Sequence, residues 1–401
     1  MSDLALAGAA DRDIARRATH ATTFRHGLMG EVLKGADVYE NLRPEFERLA
    51  NRQPGTVVFQ TPPLLSVWAR HFLPARSGSF ATVIVKHENR PILIWPLFVE
   101  QRGLFCVASG AGAPIGQYDE VLLDSECEAS LAIEAAIDAL KKAVRADLIV
   151  LERVRADSIL RLALHDAPPL RWSEGAPYTD LSAGVAPVMT SMKARASRQQ
   201  KRRVQRFNAQ GRAAFAVAAN AEQSEAWMVE ALALKREWLR ATGRLSRAFL
   251  RPEFAECLAE LAATLSRRDA SPRLVVSKLS LDDRTAAIEV GICHNQTYHL
   301  YLGAFAKECA RLGPGNILTQ KVLDWCVENG ICRYDMLAPR SRNKAEWQTG
   351  EVAVLDFVLP LTLRGRLYAT VLKHAHPLLR RAFYALPLPA RSAVTGMALK
   401  M

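Results

Sequence analysis

No CxxC pair occurs among the seven cysteines of this chain, which stand at positions 106, 127, 257, 293, 309, 326 and 332. Scattered thiols without paired spacing build neither a disulfide framework nor a zinc site, so they read as reduced cysteines of a cytosolic protein, and no metal is expected. A long apolar run is also lacking. The most apolar window, PILIWPLFV at Pro91–Val99, falls far short of the roughly 20 residues that a membrane-spanning helix needs. The stretch before Gly27 mixes Asp3, Asp11 and Asp13 with its basic residues and has no apolar centre of the length a secretory signal requires. A cytoplasmic location is therefore expected, extending to the inner membrane surface. Acidic residues are in deficit: 53 Lys and Arg face 41 Asp and Glu, leaving a net charge of +12. That sign favours an anionic partner, whether a phosphorylated cofactor, nucleic acid or an acidic membrane.

What is present is ordinary globular material, 49% hydrophobic and 23% charged over 401 residues, a length that predicts two domains. From Arg273 the chain reads RLVVSKLSL, DDR, TAAIEVGICH, NQ, TYHLYLG, three β-rich segments separated by turn residues, as in an antiparallel meander. Next comes LGPGNILTQKVLDWCVENG, Leu312–Gly330, then the short apolar segment CRYDML. Ile317, Leu318, Val322, Trp325 and Cys326 return to one helical face, and Gly330 supplies a stop. The same order appears earlier as ATVIVK, PILIWPLFV and LFCVAS, the Gly-rich loop GAGAPIGQYDE, a helix from about Glu128 to Val144, and DLIVLERV. Matching elements lie about 190 residues apart, which is the spacing of whole domains rather than of a solenoid. Duplication of one α/β unit is the simplest reading, with the join in APYTDLSAGVAPVMTS, residues 176–191.

After the join, Lys193, Arg195, Arg198, Lys201, Arg202, Arg203, Arg206 and Arg212 crowd one helical stretch, with Arg195, Arg198, Arg202 and Arg206 on one face. Such a helix either is simply solvated or binds phosphate, an anionic sugar or nucleic acid; Arg198 and Arg202 are the candidate substrate contacts. Phe207 is its one aromatic, so stacking on single-stranded nucleic acid is not supported. The last segment combines Leu, Tyr, Val and Phe with Arg364, Arg366, Lys373, Arg380 and Arg381. It reads either as an interfacial helix that makes peripheral membrane contact or as a helix packed on the second domain, interrupted at Pro377.

The meander, the Gly-Pro-Gly helix start and the strand that follows resemble, in that order, the core of a GNAT acyltransferase. Within that group the chain is similar to the two-domain GNAT-like proteins named for the cellulose-biosynthesis protein CelD, with a more distant resemblance to Fem-type aminoacyl transferases. The resemblance covers about Thr56 to Pro360 and is strongest from Ser197 to Trp347. It rests on KRRVQRF, REWLRATG, YHLYLGAF, LGPGNILTQKVLDWCVENG, RYDML and NKAEWQTGEV. The implied fold is α/β (α+β), tandem GNAT-like domains, each a mixed, mainly antiparallel sheet flanked by helices. The expected parts are an N-terminal extension over 1–50, partly disordered, a degenerate GNAT-like domain over 51–185, an acyl-CoA-binding domain over 186–362, and a basic amphipathic segment over 363–401.

The resemblance implies acetyl-CoA or another acyl-CoA as cosubstrate. Its pyrophosphate would meet backbone amides at Gly313, Gly315, Asn316 and Ile317, where unsatisfied N–H groups and the positive helix end favour anions. The sequence departs from the usual GNAT signature in that Arg311 stands one position too close to Gly313. Tyr301 and Leu302 are expected to line the gap that receives the pantetheine arm. Acyl transfer needs a base and gains from an oxyanion donor. Glu289, a carboxylate in mid-strand, is the leading base candidate, with His294 and His299 as substitutes. Asp335 takes a catalytic or a hydrogen-bonding role. Lys344 is expected to hold an acceptor carboxylate, a phosphate or the developing oxyanion, and Trp347 to stack on a sugar or to seat its loop. Asp119, in the first copy's Gly-rich loop, is expected to face an acceptor between the halves. The implied activity is acyl transfer to an amine or hydroxyl of a sugar, exopolysaccharide or cell-envelope precursor. The alternatives are a Fem-like transferase using aminoacyl-tRNA, under which alone nucleic acid is a partner, and a non-catalytic part of a polysaccharide-synthesis assembly.

Overall fold

The computed structural model describes residues 18–23, 27–51, 53, 57–172, 175–191 and 194–398. Disorder expected before residue 18, and Lys193 of the basic run, lie outside these residues. The strands are β1 (Ala18–Thr23), β2 (Leu28–Lys34), β3 (Gly78–His87), β4 (Arg90–Arg102), β5 (Phe105–Gly110), β6 (Leu122–Leu123), β7 (Leu148–Arg155) and β8 (Arg171–Trp172). Then follow β9 (Ala176–Asp180), β10 (Ala213–Val217), β11 (Arg273–Leu281), β12 (Arg284–His294), β13 (Thr297–Phe305), β14 (Arg333–Asp335), β15 (Gly350–Val352) and β16 (Val354–Pro360).

Both expected meanders form. Their tight turns fall at Glu88-Asn89, Asp282-Asp283 and Asn295-Gln296, where both central residues take positive φ, the backbone that keeps two-residue hairpins in step with strand twist. One sheet runs β1-β2-β3-β4-β5-β7-β16-β8 with β6 on β4, and the other β10-β11-β12-β13-β14-β9-β15. In each, the last meander strand pairs in parallel with the strand that follows the next helix, β5 with β7 and β13 with β14. The rest of the pairing is antiparallel, so this is the expected mixed, mainly antiparallel α/β architecture, flanked by helices.

The domain limits differ from expectation. The chain divides into one unit of residues up to 173 with 354–378, and a second of 174–353 with the residues from 379 on. β9 and β16 occupy equivalent positions, each antiparallel to the strand after the helix, on β14 and β7 respectively. Yet β9 directly follows the first unit's β8, and β16 directly follows the second unit's β15. The first unit therefore receives its penultimate strand, β16, from beyond its own contiguous stretch, whereas β9 opens the second unit's stretch, and the join inferred at 176–191 cuts through a strand of the second sheet. Residues 28–50, expected as an extension, supply β2 and two short helices of the first unit. The helix Leu363–Ala385 runs on through position 377; a proline there removes one helical N–H without ending the helix.

The first core packs the helix Ala129–Val144 against β2, β3 and β4 around Val83, Leu93, Trp95, Ile133 and Leu140. The second packs the helix Pro314–Glu328 on the meander around Ile317, Leu318, Val322, Tyr298 and Tyr334. The second helix buries the apolar face read from its sequence, and burying each large apolar side chain contributes about 1.5–3 kcal/mol.

Candidate active site

β13 keeps β12 beside it along its length, from Thr297 opposite His294 to Phe305 opposite Ala287. On its other side β14 pairs only with Thr297, Tyr298 and His299, so the two strands part company from Leu300 onward. A register shift opposite Val290 and Gly291 leaves Tyr301 out of the pairing, as a β-bulge does. Leu302 is buried, Tyr301 half-buried and Gly303 exposed, and a Cβ at Gly303 would meet nothing within 4 Å.

A short 3₁₀ segment, Lys307–Leu312, carries the chain from this unpaired stretch to the helix start. Gly313 is the N-cap, with φ 65° and ψ 46°, and no side chain caps the helix. The left-handed backbone is why glycine suits this position. Pro314, at the first helical position, has no N–H to satisfy, which leaves the amides of Gly315, Asn316 and Ile317 at the positive helix end. A Cβ at Gly315 would also meet no atom within 4 Å, so the backbone there is open to a ligand. The side chains of Asn316 and Ile317 are engaged elsewhere: Asn316 Oδ1 accepts from Trp347 Nε1 at 3.1 Å, and Ile317 is in the core.

The basic helix, Ala194–Asn208, braces this start. Gln200 Nε2 donates to Asn316 O at 3.1 Å and Gln320 Oε1 at 3.0 Å. The Arg203 stem lies 3.3 Å from where a Gly313 Cβ would stand, and its Nη1 donates to Glu346 Oε2 at 2.9 Å. Phe207 completes the inward face, while Arg198, Arg202 and Arg206 are exposed on the other. The helix thus turns Gln200 and Arg203 toward the helix start, and the arginines expected to bind substrate toward solvent.

Glu289 is 3% exposed. Its Oε1 accepts from Tyr334 at 2.8 Å and Tyr298 at 3.2 Å, and its Oε2 from Thr319 at 3.3 Å. The two tyrosines are register partners on β14 and β13 and stack with centroids 5.1 Å apart. A Cβ at Gly291 would fall 1.9 Å from the Tyr298 ring, so that glycine makes room for the stack. Burial pushes the Glu289 carboxyl up to about 7, against the opposing pull of the three hydroxyls. The carboxylate pins the point where β13 and β14 are still joined; it does not open onto the gap.

Asp335, Lys344 and Trp347 are brought together, but on structural duties. Asp335 is fully buried and accepts from Leu337 N at 2.8 Å. Lys344 Nζ donates to Leu337 O and Pro339 O, each at 2.9 Å. Both hold the turn after β14, in which Leu337 adopts φ 57°, a conformation disfavoured for a residue with a Cβ. Trp347 is 2% exposed, which rules out stacking on a sugar; besides its bond to Asn316, its carbonyl accepts from Thr179 at 2.8 Å. Beside this loop lies an open cavity of 510 Å³ lined by Gly175, Arg340, Ser341, Arg342, Ala345 and Glu351. His294, half-buried, is pushed down to about 4 by burial, and His299 is 1% exposed.

Sequence reasoning missed Lys235, on the helix Ala221–Thr242. Its Nζ donates to Gly303 O at 3.1 Å, on the stretch of β13 that β14 does not reach. It lies 4.6 Å from the centroid of Trp238, a ring that Arg244 also covers at 5.1 Å. Burial, and then the like charge of Arg244, bring the ammonium down to about 8. The spacing of Lys235 and Trp238 puts them on one helical face, but nothing local says which strand that face meets.

The first unit closes the equivalent place. β7 pairs with β5 only through Leu148, Ile149 and Val150, and beyond that Asp119 fills its flank. Glu152 N donates to Asp119 Oδ2 at 2.7 Å, and Asp119 N to Glu152 O at 3.2 Å. A Cβ at Gly110 would stand 1.9 Å from Asp119 Oδ1. Asp119, expected to meet an acceptor, is the plug, and burial raises it to about 7. The helix that follows has Glu128 at its N-cap, which places negative charge where a phosphate would need the opposite.

Residues 194–347 match the model of the acetyltransferase (GNAT) domain family. No curated protein matches the chain. Among solved structures, FemX is similar with a TM-score of 0.55 at 12% identity, covering 83% of this chain and 98% of that one. A tandem GNAT protein from the clavulanic acid biosynthesis pathway is similar with a TM-score of 0.50 at 12% identity, covering 82% and 98%. Residues 194–347 thus match a GNAT acetyltransferase domain, within a chain whose two-sheet fold is similar to those of FemX and the tandem GNAT protein.

Proposed function

We propose that the second unit binds acyl-CoA, acetyl-CoA foremost, and transfers the acyl group to an amine or hydroxyl of a sugar or cell-envelope precursor. The observation that carries this reading is the uncapped helix start at Gly313–Ile317, one short 3₁₀ segment beyond the part of β13 that β14 does not reach. The pyrophosphate is assigned to the amides of Gly315, Asn316 and Ile317, with Gly313 shaping the loop. The pantetheine arm is assigned to the flank of Tyr301, Leu302 and Gly303 beyond the last β13–β14 pair. Acyl-CoA supplies the activated thioester; the chain's own residues bind it, exclude water and move the acceptor proton.

Lys235 is the proposed proton acceptor, because it borders the open stretch at Gly303 and is partly neutral near pH 8. Glu289 holds the strands whose separation makes the gap. The cavity beside Arg340 and Arg342 is the proposed acceptor region; Arg340 pairs with Glu351 of the same lining at 3.6 Å, and Arg342 adds a second cation suited to an acceptor bearing phosphate or carboxylate. Lys235→Met is expected to lower turnover about a hundredfold with acetyl-CoA affinity little changed. It should also remove the limb of the pH–rate profile that rises toward pH 8. Glu289→Gln should stay within about tenfold of the parent, about 1.4 kcal/mol. Thiol release from acetyl-CoA measures both, and the reverse ranking would make Glu289 the base.

The exposed Arg198, Arg202 and Arg206 favour one second reading, a Fem-like transferase whose aminoacyl-tRNA contacts this cationic face. The deciding experiment is a thermal-shift and mass-spectrometric screen with acetyl-CoA. Stabilisation by acetyl-CoA supports the first reading; tRNA retained through purification, with no response to acetyl-CoA, supports the second.

A further inference from the structure

From Phe357 to Met401 the sequence holds no Asp or Glu, against seven Lys and Arg at 364, 366, 373, 380, 381, 391 and 400. A 45-residue stretch without an acid is conspicuous in a chain with 41 of them, and most of it is the helix Leu363–Ala385 with its successor Leu388–Ala398. One side of the longer helix is fixed to the first unit. Thr362 Oγ1 donates to Asp147 Oδ1 at 2.8 Å, and Gly365 N donates to Thr362 Oγ1 at 3.0 Å. Gly365 approaches so closely that a Cβ would lie 1.9 Å from Asp147 O, and the Tyr368 ring stacks on Phe105 at 4.6 Å.

The opposite side is apolar and bare. Leu363, Leu367, Val371 and Leu378 are 79%, 64%, 47% and 61% exposed, and at 100° per residue they fall within one quarter of the helix circumference. Leu104, at the tip of the neighbouring β4–β5 hairpin, is 75% exposed and extends this stripe, its carbonyl accepting from Arg364. Exposed Arg366 and Lys373 flank one edge of the stripe and Arg364 the other. Apolar residues in the middle, cations on both shoulders and the anchored face behind form the cross-section of a helix lying in a bilayer interface. Among the described residues no helix is long and apolar enough to cross a membrane.

We infer that the Leu363–Leu378 stripe, with the Leu104 hairpin tip, seats the protein on an anionic lipid surface. The leucines enter the headgroup boundary while Arg364, Arg366 and Lys373 meet lipid phosphates. The charge pattern selects lipid over a second copy of the chain, whose identical stripe would bring like-charged shoulders together. Cosedimentation of the full chain with vesicles tests this. Vesicles of one part phosphatidylglycerol to two of phosphatidylcholine should capture the protein at 0.1 M salt, with at least tenfold less capture by phosphatidylcholine alone and at 0.5 M salt, where screening shortens the reach of the charges. Leu363→Asp with Leu367→Asp changes only exposed positions; the pair should lower capture at least tenfold with the melting temperature retained, and Arg366→Glu with Lys373→Glu should do the same. Unchanged capture of the leucine variant would overturn the proposal, assigning binding to the net charge alone. A dimer seen by analytical ultracentrifugation that the leucine variant abolishes, without vesicle capture by the parent, would also overturn it in favour of a second copy. Acetyl-CoA binding in both variants keeps this outcome separate from that of the transferase reading.

Discussion

Gly315→Glu should abolish stabilisation by acetyl-CoA while leaving the free protein as stable as its parent or slightly more so. The two halves of this expectation come from the same geometry. The position has no positive φ, and a Cβ there meets nothing within 4 Å, so the fold has no objection to a side chain. A carboxylate in the first turn of an uncapped helix interacts favourably with the helix dipole, by about 0.3–1 kcal/mol. The same carboxylate stands where the pyrophosphate is assigned. Two like charges about 5 Å apart at an effective dielectric near 20 repel by about 3 kcal/mol, roughly a hundredfold in affinity. In the parent, acetyl-CoA at a hundred times its dissociation constant contributes about 2.7 kcal/mol, a rise of about 5–10 °C for a unit of this size. The variant should show almost none, and Gly315→Ala should behave as the parent. Calorimetric titration should find one site per chain, because Asp119 and Glu128 close the equivalent place in the first unit. Equal binding by the parent and Gly315→Glu would move the cofactor elsewhere, and two sites would refute the plugged first unit.

Glu289→Ala is expected to destabilise the second unit by about 3–5 kcal/mol, because the hydroxyls of Tyr298, Tyr334 and Thr319 lose their shared acceptor in a buried setting. Urea unfolding should show a lower midpoint with the slope preserved. Glu289→Gln keeps an acceptor and should cost about 1 kcal/mol or less. It should also change the pH dependence. The carboxyl sits near 7 when folded, against an ordinary 4.5, so between those values the unfolded chain gives up its proton while the folded chain keeps it. Stability from this group is therefore whole below about 4.5 and lost as pH rises through 7, with a slope of up to about 1.4 kcal/mol per pH unit. Asp119 and Glu120 are raised in the same sense, so the glutamine variant should flatten the decline without erasing it. A decline identical in both proteins would mean that Glu289 is already ionised at pH 5.

The legible features are those written in nearby residues. The meanders announce themselves by alternation and by turn pairs such as Asn295-Gln296, and the helix start by Gly313-Pro314-Gly315. Glu289 stands out as a carboxylate within an apolar strand, so its importance can be read, but its partners cannot. Tyr298 and Tyr334 reach it through a register set between β13 and β14, and Thr319 through the packing of a helix above. Lys235 is hidden for the same reason: its helical face is evident, the strand it meets is not. Trp347 reads as a residue that seats its loop or as a sugar platform, and its burial decides for the first. β9 and β16 are five and seven residues long, and their partners lie some 150 to 200 residues away, beyond the reach of any local pattern.

The return of β16 to the first sheet bears on how the protein is made. Translation delivers β7 long before β16, and all of residues 174–353 must emerge in between, which takes roughly 10–40 s at ordinary elongation rates. Throughout that time one flank of β7 is an open strand edge, the kind of surface on which a nascent chain pairs wrongly or aggregates. β9 has the opposite history, waiting, already synthesised, for β14 to reach it. The segment 194–347 that matches the domain family omits β9 altogether, so expressed alone it would leave β14 bare on one side. The 194–347 segment thus lacks the strand that covers β14, and the first unit's sheet stays incomplete until the second unit's stretch has been synthesised.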